Sequence, residues 1–393
     1  MNMSYCILGP VVPLRGGIAH YTTLLAKELE KRGEVNVISF SRLYPSFLFP
    51  GRSQVDQNGI LEPPANVQFC LDTMNPLTWR KAAQRIIAQK PDVLIIPLWV
   101  TYLVPPIFSV VSIVRRHSAT KVLFICHNVI PHDVGRIHLL LVKALLRKGD
   151  FAIVHSEQER RLVQAAAPRV KVNKHVHPIY DFFAAGSASS DHELSLQDSR
   201  TNLRISKDKL VLLFFGFVRP YKGLDLLIQA MPAIRDCLDA YLLIVGEFWE
   251  GRSRFDEMIA ERGLAENVRI VDRYVPDNEV GLYFSAADVV VLPYREATQS
   301  GVVQIAYAFR KPVITTDVGG LPEVVEDGRT GYVVPKDSPE AIADSAFRFA
   351  RDRATVDFAA NIEAILDRFS WSHLVDMIER LRDTKTMEGG EER

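Results

Sequence analysis

Apolar residues fall in short, nearly unbroken runs, separated by longer stretches in which they recur every three or four positions. Runs such as 92–99 (DVLIIPLW), 121–127 (KVLFICH) and 209–218 (KLVLLFFGFV) show no polar alternation, the mark of strands buried on both faces. In the first half such runs predict strands at 4–10, 34–40, 66–72, 92–99, 121–127, 151–156 and 170–176, with helices such as 17–32 and 75–90 between them. The alternation restarts further on, with strands at 209–218, 240–247, 268–275, 289–294, 312–317 and 331–334. Helices fit there at 222–235, 253–262, 278–286, 300–309 and 339–350. Strands alternating with helical crossovers make parallel sheets covered on both faces.

The stretch 184–198 (AAGSASSDHELSLQD) is small and polar without periodicity, and reads as a linker or exposed loop. The expected organisation is therefore α/β, with two Rossmann-like, doubly wound domains facing a central cleft. Their expected bounds are 1–183, a linker at 184–203, 204–369, and a C-terminal helix at 370–393 that crosses back to the first domain. A length of 393 residues suits two or three domains of roughly 100–200 residues each. Doubly wound sheets bind ligands outside the carboxyl ends of their strands, so the cleft is the expected active site.

Residues 93–114 carry no charge and are long enough to span a bilayer. Pro97, Pro105 and Pro106 interrupt them, so they read better as a buried strand, a turn at the double proline and an apolar helix. Lys+Arg and Asp+Glu both number 47, which disfavours a nucleic acid held by overall charge. Four scattered cysteines form neither a disulfide framework nor a zinc ribbon. With no basic-then-apolar leader at the start of the chain, the expected location is cytoplasmic.

Four motifs carry candidate chemistry. Gly16-Gly17 follows the first strand and opens a helix, where backbone N–H groups can meet an anion. His127 ends the strand KVLFIC and leads Asn128-Val129-Ile130-Pro131-His132-Asp133, which offers no further metal-ligand set. In Gly216-Phe217-Val218-Arg219-Pro220-Tyr221-Lys222-Gly223, two cations stand between a strand end and a helix start, suited to a diphosphate. In 293–326, Glu296 precedes the turn Thr298-Gln299-Ser300-Gly301 and a helix whose first turn includes Val302. Asp317 then leads through Gly319-Gly320 into a second expected helix start, giving two N-termini for a phosphorylated ligand.

Together these residues resemble the retaining GT-B glycosyltransferases of family 4 (glycosyl transferases group 1), over nearly the whole chain from Gly16 to Trp371. The strongest match is the family's E-x7-E element, here Glu296-ATQSGVV-Gln304, with Gln in place of the second Glu. The resemblance implies that Glu296 contacts donor-sugar hydroxyls and that Gln304 holds the ribose without charge. Lys222-Gly223 matches the family's basic element, whereas Phe217 stands where Arg is usual and Arg219 lies two residues on. His127 corresponds to the active-site His near the donor sugar, and Gly16-Gly17 to the glycine-rich loop beside the diphosphate and acceptor. Base recognition is expected near Tyr274 and Val275. The implied reaction retains anomeric configuration by front-face attack, with Lys222, Arg219 and helix N–H groups stabilising the leaving diphosphate. No D-x-D motif is present, so neither a metal nor a cofactor is expected, and the nucleotide-sugar enters as substrate.

The acceptor expected is a glycan, a lipid-linked sugar or a small molecule, in polysaccharide, lipopolysaccharide or other glycoconjugate synthesis. The apolar loop 41–64 and the basic amphipathic stretch 136–148 offer contact with an acceptor or with an anionic membrane at its inner face. Each also fits an ordinary half-buried segment. Two other readings keep the fold: a nucleotide-sugar epimerase or small-metabolite glycoside synthase, and an inactive partner subunit favoured only by Gln304 and Phe217.

Overall fold

The computed structural model describes residues 3–45, 53–56, 59–128, 136–187, 195–249 and 251–383. The chain divides into two compact units, one of Met1–Gln57, Leu61–Pro178 and Ser370–Arg393, the other of Asn58–Ile60 and Ile179–Phe369.

In the first unit the strands are β1 (Met3–Leu8), β2 (Gly33–Arg42), β3 (Val67–Asp72), β4 (Val93–Leu98), β5 (Lys121–Cys126), β6 (Phe151–Val154) and β7 (Lys171–Lys174). They pair in parallel in the order β3-β2-β1-β4-β5-β6-β7. All six residues of β4 are buried, which explains why its sequence shows no alternation. Leu94, Ile96, Phe124 and Val154 share a core with Ile107, Val110 and Val114 of the helix Val104–His117. The double proline does not turn the chain. It occupies the first turn of that helix, where no N–H is needed. Among the described residues no helix is long and apolar enough to cross a membrane. The helix Trp371–Asp383 lies against Gly17–Glu30, and Asp376 accepts from Arg32 at 2.7 Å.

In the second unit β8 (Leu210–Phe215), β9 (Ala240–Val245), β10 (Val268–Val271), β11 (Val289–Leu292), β12 (Val313–Thr316) and β13 (Gly331–Val334) form a parallel sheet in the order β10-β9-β8-β11-β12-β13. In each sheet the order reverses once, between β1 and β4 and between β8 and β11. Helices leave opposite faces at such a point and open a crevice at the carboxyl ends.

The polar stretch 184–198, expected as loop, is helical at both ends, in Phe182–Ser187 and Leu196–Asn202; residues 188–194 lie outside the description. Ser195 caps the second of these helices, and Arg200 anchors it. The Arg200 guanidinium is buried and donates to Asp288 at 2.6 Å, to Ala286 O at 3.0 Å and to Lys207 O at 2.6 Å. A buried cation needs this full set of partners.

Candidate active site

The crevice of the second unit is built by the loops that follow β8 and β11. After β8 the chain turns at Gly216, whose φ of +100° suits glycine. A three-residue turn, Pro220–Lys222, leads to Gly223, which opens the helix Leu224–Cys237 without a side-chain cap. A Cβ at Gly223 would lie 1.9 Å from the Pro293 carbonyl, so this glycine lets the two loops meet. The turn places the Lys222 ammonium over Gly216, where a Cβ would come within 3.0 Å of Nζ and 3.8 Å of Val302 Cγ2. Lys222 is buried, yet no carboxylate or hydrogen-bond acceptor reaches its ammonium among the described residues. Burial, reinforced by Arg219, pushes its pKa down to about 7. A cation held this way favours an arriving anion.

The loop after β11 is braced from beneath. The Arg295 guanidinium donates to both Asp225 oxygens at 2.8 Å, to Asp337 at 2.8 Å and to Pro220 O at 3.2 Å. Burial works to raise the Asp225 pKa, but Arg295 holds it below the usual carboxylate range. Ser300 caps the helix Gly301–Ala308 by accepting from the Val302 N–H at 3.3 Å. Tyr294 ties this cap to the cation: its hydroxyl is 3.4 Å from Ser300 Oγ, and its ring is 5.5 Å from Lys222 Nζ. Gly301 lies against Tyr180, whose ring a Cβ there would meet at 3.1 Å. Gln304 is 1% exposed, and its Oε1 has no hydrogen-bond partner among the described residues. An unsatisfied buried acceptor marks a place where a donor group is missing. Glu296 is exposed, with no ion pair or hydrogen bond to its carboxylate among the described residues.

The second expected helix start does not exist. After Gly319-Gly320 the chain makes only the three-residue turn Leu321–Glu323. Gly319, at φ +55°, instead lets the backbone press on Ala297, whose carbonyl oxygen would lie 1.6 Å from a Cβ. Asp317 accepts from the Lys336 N–H at 3.1 Å, closing its own loop. These glycines shape the Glu296 loop, and one helix N-terminus serves the site.

Arg219 stacks its guanidinium 3.6 Å from the Trp249 ring centre. Phe217 lies 5.0 Å from Trp249 and 6.4 Å from Tyr274, so a row of half-buried rings follows the ends of β8, β9 and β10. Val275 is buried beside Tyr274 in the chain.

In the first unit, Gly16 (φ +112°) opens the helix Gly17–Glu30 with neither a side-chain cap nor an acidic residue in its first turn. His127 continues β5, its N–H bound to Leu98 O at 2.8 Å, and is buried. It shares that burial with His155 and His177, at ring separations of 5.0 and 6.0 Å. Tyr21 stands at the centre of the group, 4.4 Å from His127, 5.5 Å from His155 and 5.1 Å from His177, with Trp371 at 5.0 Å. Burial, and then the neighbouring histidines, holds His127 well below the usual imidazole range. Burial likewise brings His177 down to about 4. Neutral imidazoles are thus the native form.

Sequence reasoning missed Arg295, Trp249, Tyr21, His155 and His177. Trp249, His155 and His177 all follow strand ends, the one signal that points to them. Val129 to Asp133, including His132, lie outside the described residues, as do Phe47, Leu48, Phe49 and Pro50 of the apolar loop. Among the described residues no group of three or more His, Cys, Asp or Glu is placed to hold a metal ion.

Comparison with known proteins agrees over both units. The Glycosyltransferase Family 4 model matches residues 15–180, and the Glycosyl transferases group 1 model matches residues 209–352. A D-inositol 3-phosphate glycosyltransferase of Mycolicibacterium gilvum is 30% identical over 247 residues, 59% of this chain and 51% of the relative. A GDP-mannose-dependent alpha-(1-6)-phosphatidylinositol monomannoside mannosyltransferase of Mycolicibacterium smegmatis is 27% identical over 304 residues, 71% of this chain and 75% of the relative. The chain spans about half the length of the inositol phosphate relatives it matches. Among solved structures, sucrose-phosphate synthase from Thermosynechococcus elongatus superimposes with a TM-score of 0.75 at 19% identity, covering 98% of this chain and 99% of that one. Anabaena HepE in complex with UDP gives 0.73 at 17% identity, covering 97% and 100%. These two share its GT-B fold.

Proposed function

This chain belongs to glycosyltransferase family 4, and from that premise we propose that it transfers a sugar from a nucleotide diphosphate to an acceptor hydroxyl with retention at the anomeric carbon. One observation carries the reading: the Lys222 ammonium is buried with no counter-ion among the described residues, over Gly216 and close to the first turn of the helix Gly301–Ala308. When the bond from C1 to the phosphate oxygen breaks, negative charge grows on the diphosphate. A preorganised cation and helix N-terminus stabilise that charge most when it is fully developed. Arg219, stacked on Trp249, adds a second positive charge.

In this reading the acceptor oxygen attacks C1 on the face the phosphate leaves, and the phosphate takes the acceptor's proton. No carboxylate nucleophile is needed. Glu296, exposed and uncommitted, binds donor-sugar hydroxyls, and Gln304 offers its unpartnered Oε1 to the ribose. His127 contacts the transferred sugar, and Tyr274 and Val275 flank the base. Protein cations supply the charge that a metal supplies elsewhere, so the reaction is metal-independent. The bound UDP of HepE supports a nucleotide-sugar donor. The relatives' names support a cyclitol, sugar or lipid-linked acceptor. On the helix Arg136–Leu146, Leu140 is 65% and Leu141 44% exposed near Lys143, which supports contact with an anionic membrane at its inner face.

The test is a panel of UDP-, GDP- and ADP-sugars with sugar and lipid acceptors, with and without EDTA, the products read by proton NMR. One donor is expected to react, unaffected by EDTA, with its anomeric configuration kept. An inverted product would overturn the mechanism, and abolition by EDTA the metal independence.

A further inference from the structure

Past the end of β8 the chain stays extended through Arg219. The Val218 N–H donates to Glu247 O at 3.0 Å, and the Val218 carbonyl accepts from the Trp249 N–H at 3.5 Å, so Val218 pairs in parallel with Phe248 beyond the end of β9. Val218 is buried, and Arg219 keeps an extended φ of −133° and ψ of 154°. Side chains alternate along such a segment, so Phe217 and Arg219 leave the same face, about 7 Å apart along the chain. Both meet one ring there. Phe217 lies 5.0 Å from Trp249 between ring centres, and the Arg219 guanidinium lies 3.6 Å from the Trp249 ring centre. Phe217 stands where the family usually carries arginine. A cation moved by two residues keeps its face but not its place, and Trp249 receives it there. The charge of Arg219 also reaches the turn Pro220–Lys222, where it adds to burial in lowering the Lys222 pKa. Like charges held this close repel. An indole face attracts a guanidinium and offsets that repulsion.

We propose that Trp249 is a positioning residue for the donor diphosphate, holding the Arg219 guanidinium beside Lys222 so that both cations meet the phosphates together. The inference rests on the donor reading. Stacking uses the flat face of a guanidinium, whereas its N–H edge is what hydrogen-bonds phosphate oxygens. Trp249 therefore acts through Arg219 and not by touching the nucleotide, which separates this role from stacking on the base.

The test is calorimetry with UDP, GDP and ADP on the full chain and its variants. Trp249→Leu is expected to weaken the nucleotide that binds at least fivefold, and Trp249→Phe, which keeps a ring face, less than about twofold. In a chain already carrying Arg219→Ala, Trp249→Leu should change affinity less than about twofold. A ring that stacks on the base, or that only packs the crevice, would weaken both chains alike. Equal losses in both chains, no loss in either, or a Trp249→Phe loss as large as that of Trp249→Leu overturns the proposal and leaves the donor reading standing. Failure of all three nucleotides to bind the unaltered chain removes the donor reading and the proposal together. Should Trp249→Leu not fold, Phe217→Arg decides. Placed in the Arg219→Ala chain it returns a guanidinium to the same face of the segment, and affinity should recover to within about threefold of the unaltered chain. No recovery overturns the proposal.

Discussion

Lys222 is kept buried because its turn is fixed from several sides: Gly223 lets the chain touch Pro293, Arg295 bonds Pro220 and Asp225, and Tyr294 lies beneath the ammonium. None of these groups neutralises it. Glu296 is the opposite case, an exposed carboxylate that stabilises nothing around it. Glu296→Ala is therefore expected to leave the melting temperature nearly unchanged, within about 0.5 kcal/mol of stability. It should lower transfer on the order of 10²-fold. Unchanged turnover would remove Glu296 from the reaction. Lys222, Arg219 and Glu296 stood out in the sequence as charges just past apolar strand runs, and the fold places them in the loops after β8 and β11. Arg295 was not legible. Its adjacency to Glu296 looks like an ordinary charged loop, and only the fold brings Asp225 and Asp337 to it.

At the scale of elements, every strand of both sheets was legible, and the overlong strand ends share one cause. The runs 209–218, 268–275 and 289–294 end as strands at Phe215, Val271 and Leu292. The apolar pattern continues past the last pairing because Val218, Val275 and Tyr294 are buried in the loops that form the crevice. A sequence reports burial, not pairing, so site-lining loops read as strand. The glycine pair at 319–320 misled in the other direction. It resembles a helix start, and its use is close contact with the Glu296 loop. The histidine group could not be found locally, since His127, His155 and His177 follow three different strands that only a parallel sheet aligns. The bracing of the β8 and β11 loops gives a prediction of its own. Arg295→Gln removes charged bonds to Asp225 and Asp337 and should cost about 1–3 kcal/mol in chemical denaturation. It should also weaken nucleotide binding although it touches no ligand. Loss of stability with affinity intact would show that the two loops are set independently.

For the molecule as a whole, buried neutral histidines set an acid limit. In the unfolded chain histidine titrates near 6.5, whereas burial holds His177 at about 4 and His127 and His155 also below the usual range. Below 6.5 the unfolded state binds more protons, so stability must fall as pH drops from about 6.5 to about 4. His177 alone accounts for about 3 kcal/mol of that loss. A melting temperature constant across this window would contradict the assignment. The central claim is that the chain binds a nucleoside diphosphate through a cation kept free for it. Calorimetry with UDP, GDP and ADP, on the unaltered chain and on Lys222→Ala, at pH 6.5 and 8.5, tests it most directly. Lys222 has a pKa of about 7 in the free chain, so above that value it is mostly neutral and must take up a proton when the diphosphate binds. The account predicts that one nucleotide binds, that affinity falls from pH 6.5 to 8.5, and that Lys222→Ala weakens it at least tenfold and removes the pH dependence. Equal affinity in both chains at both pH values would contradict it.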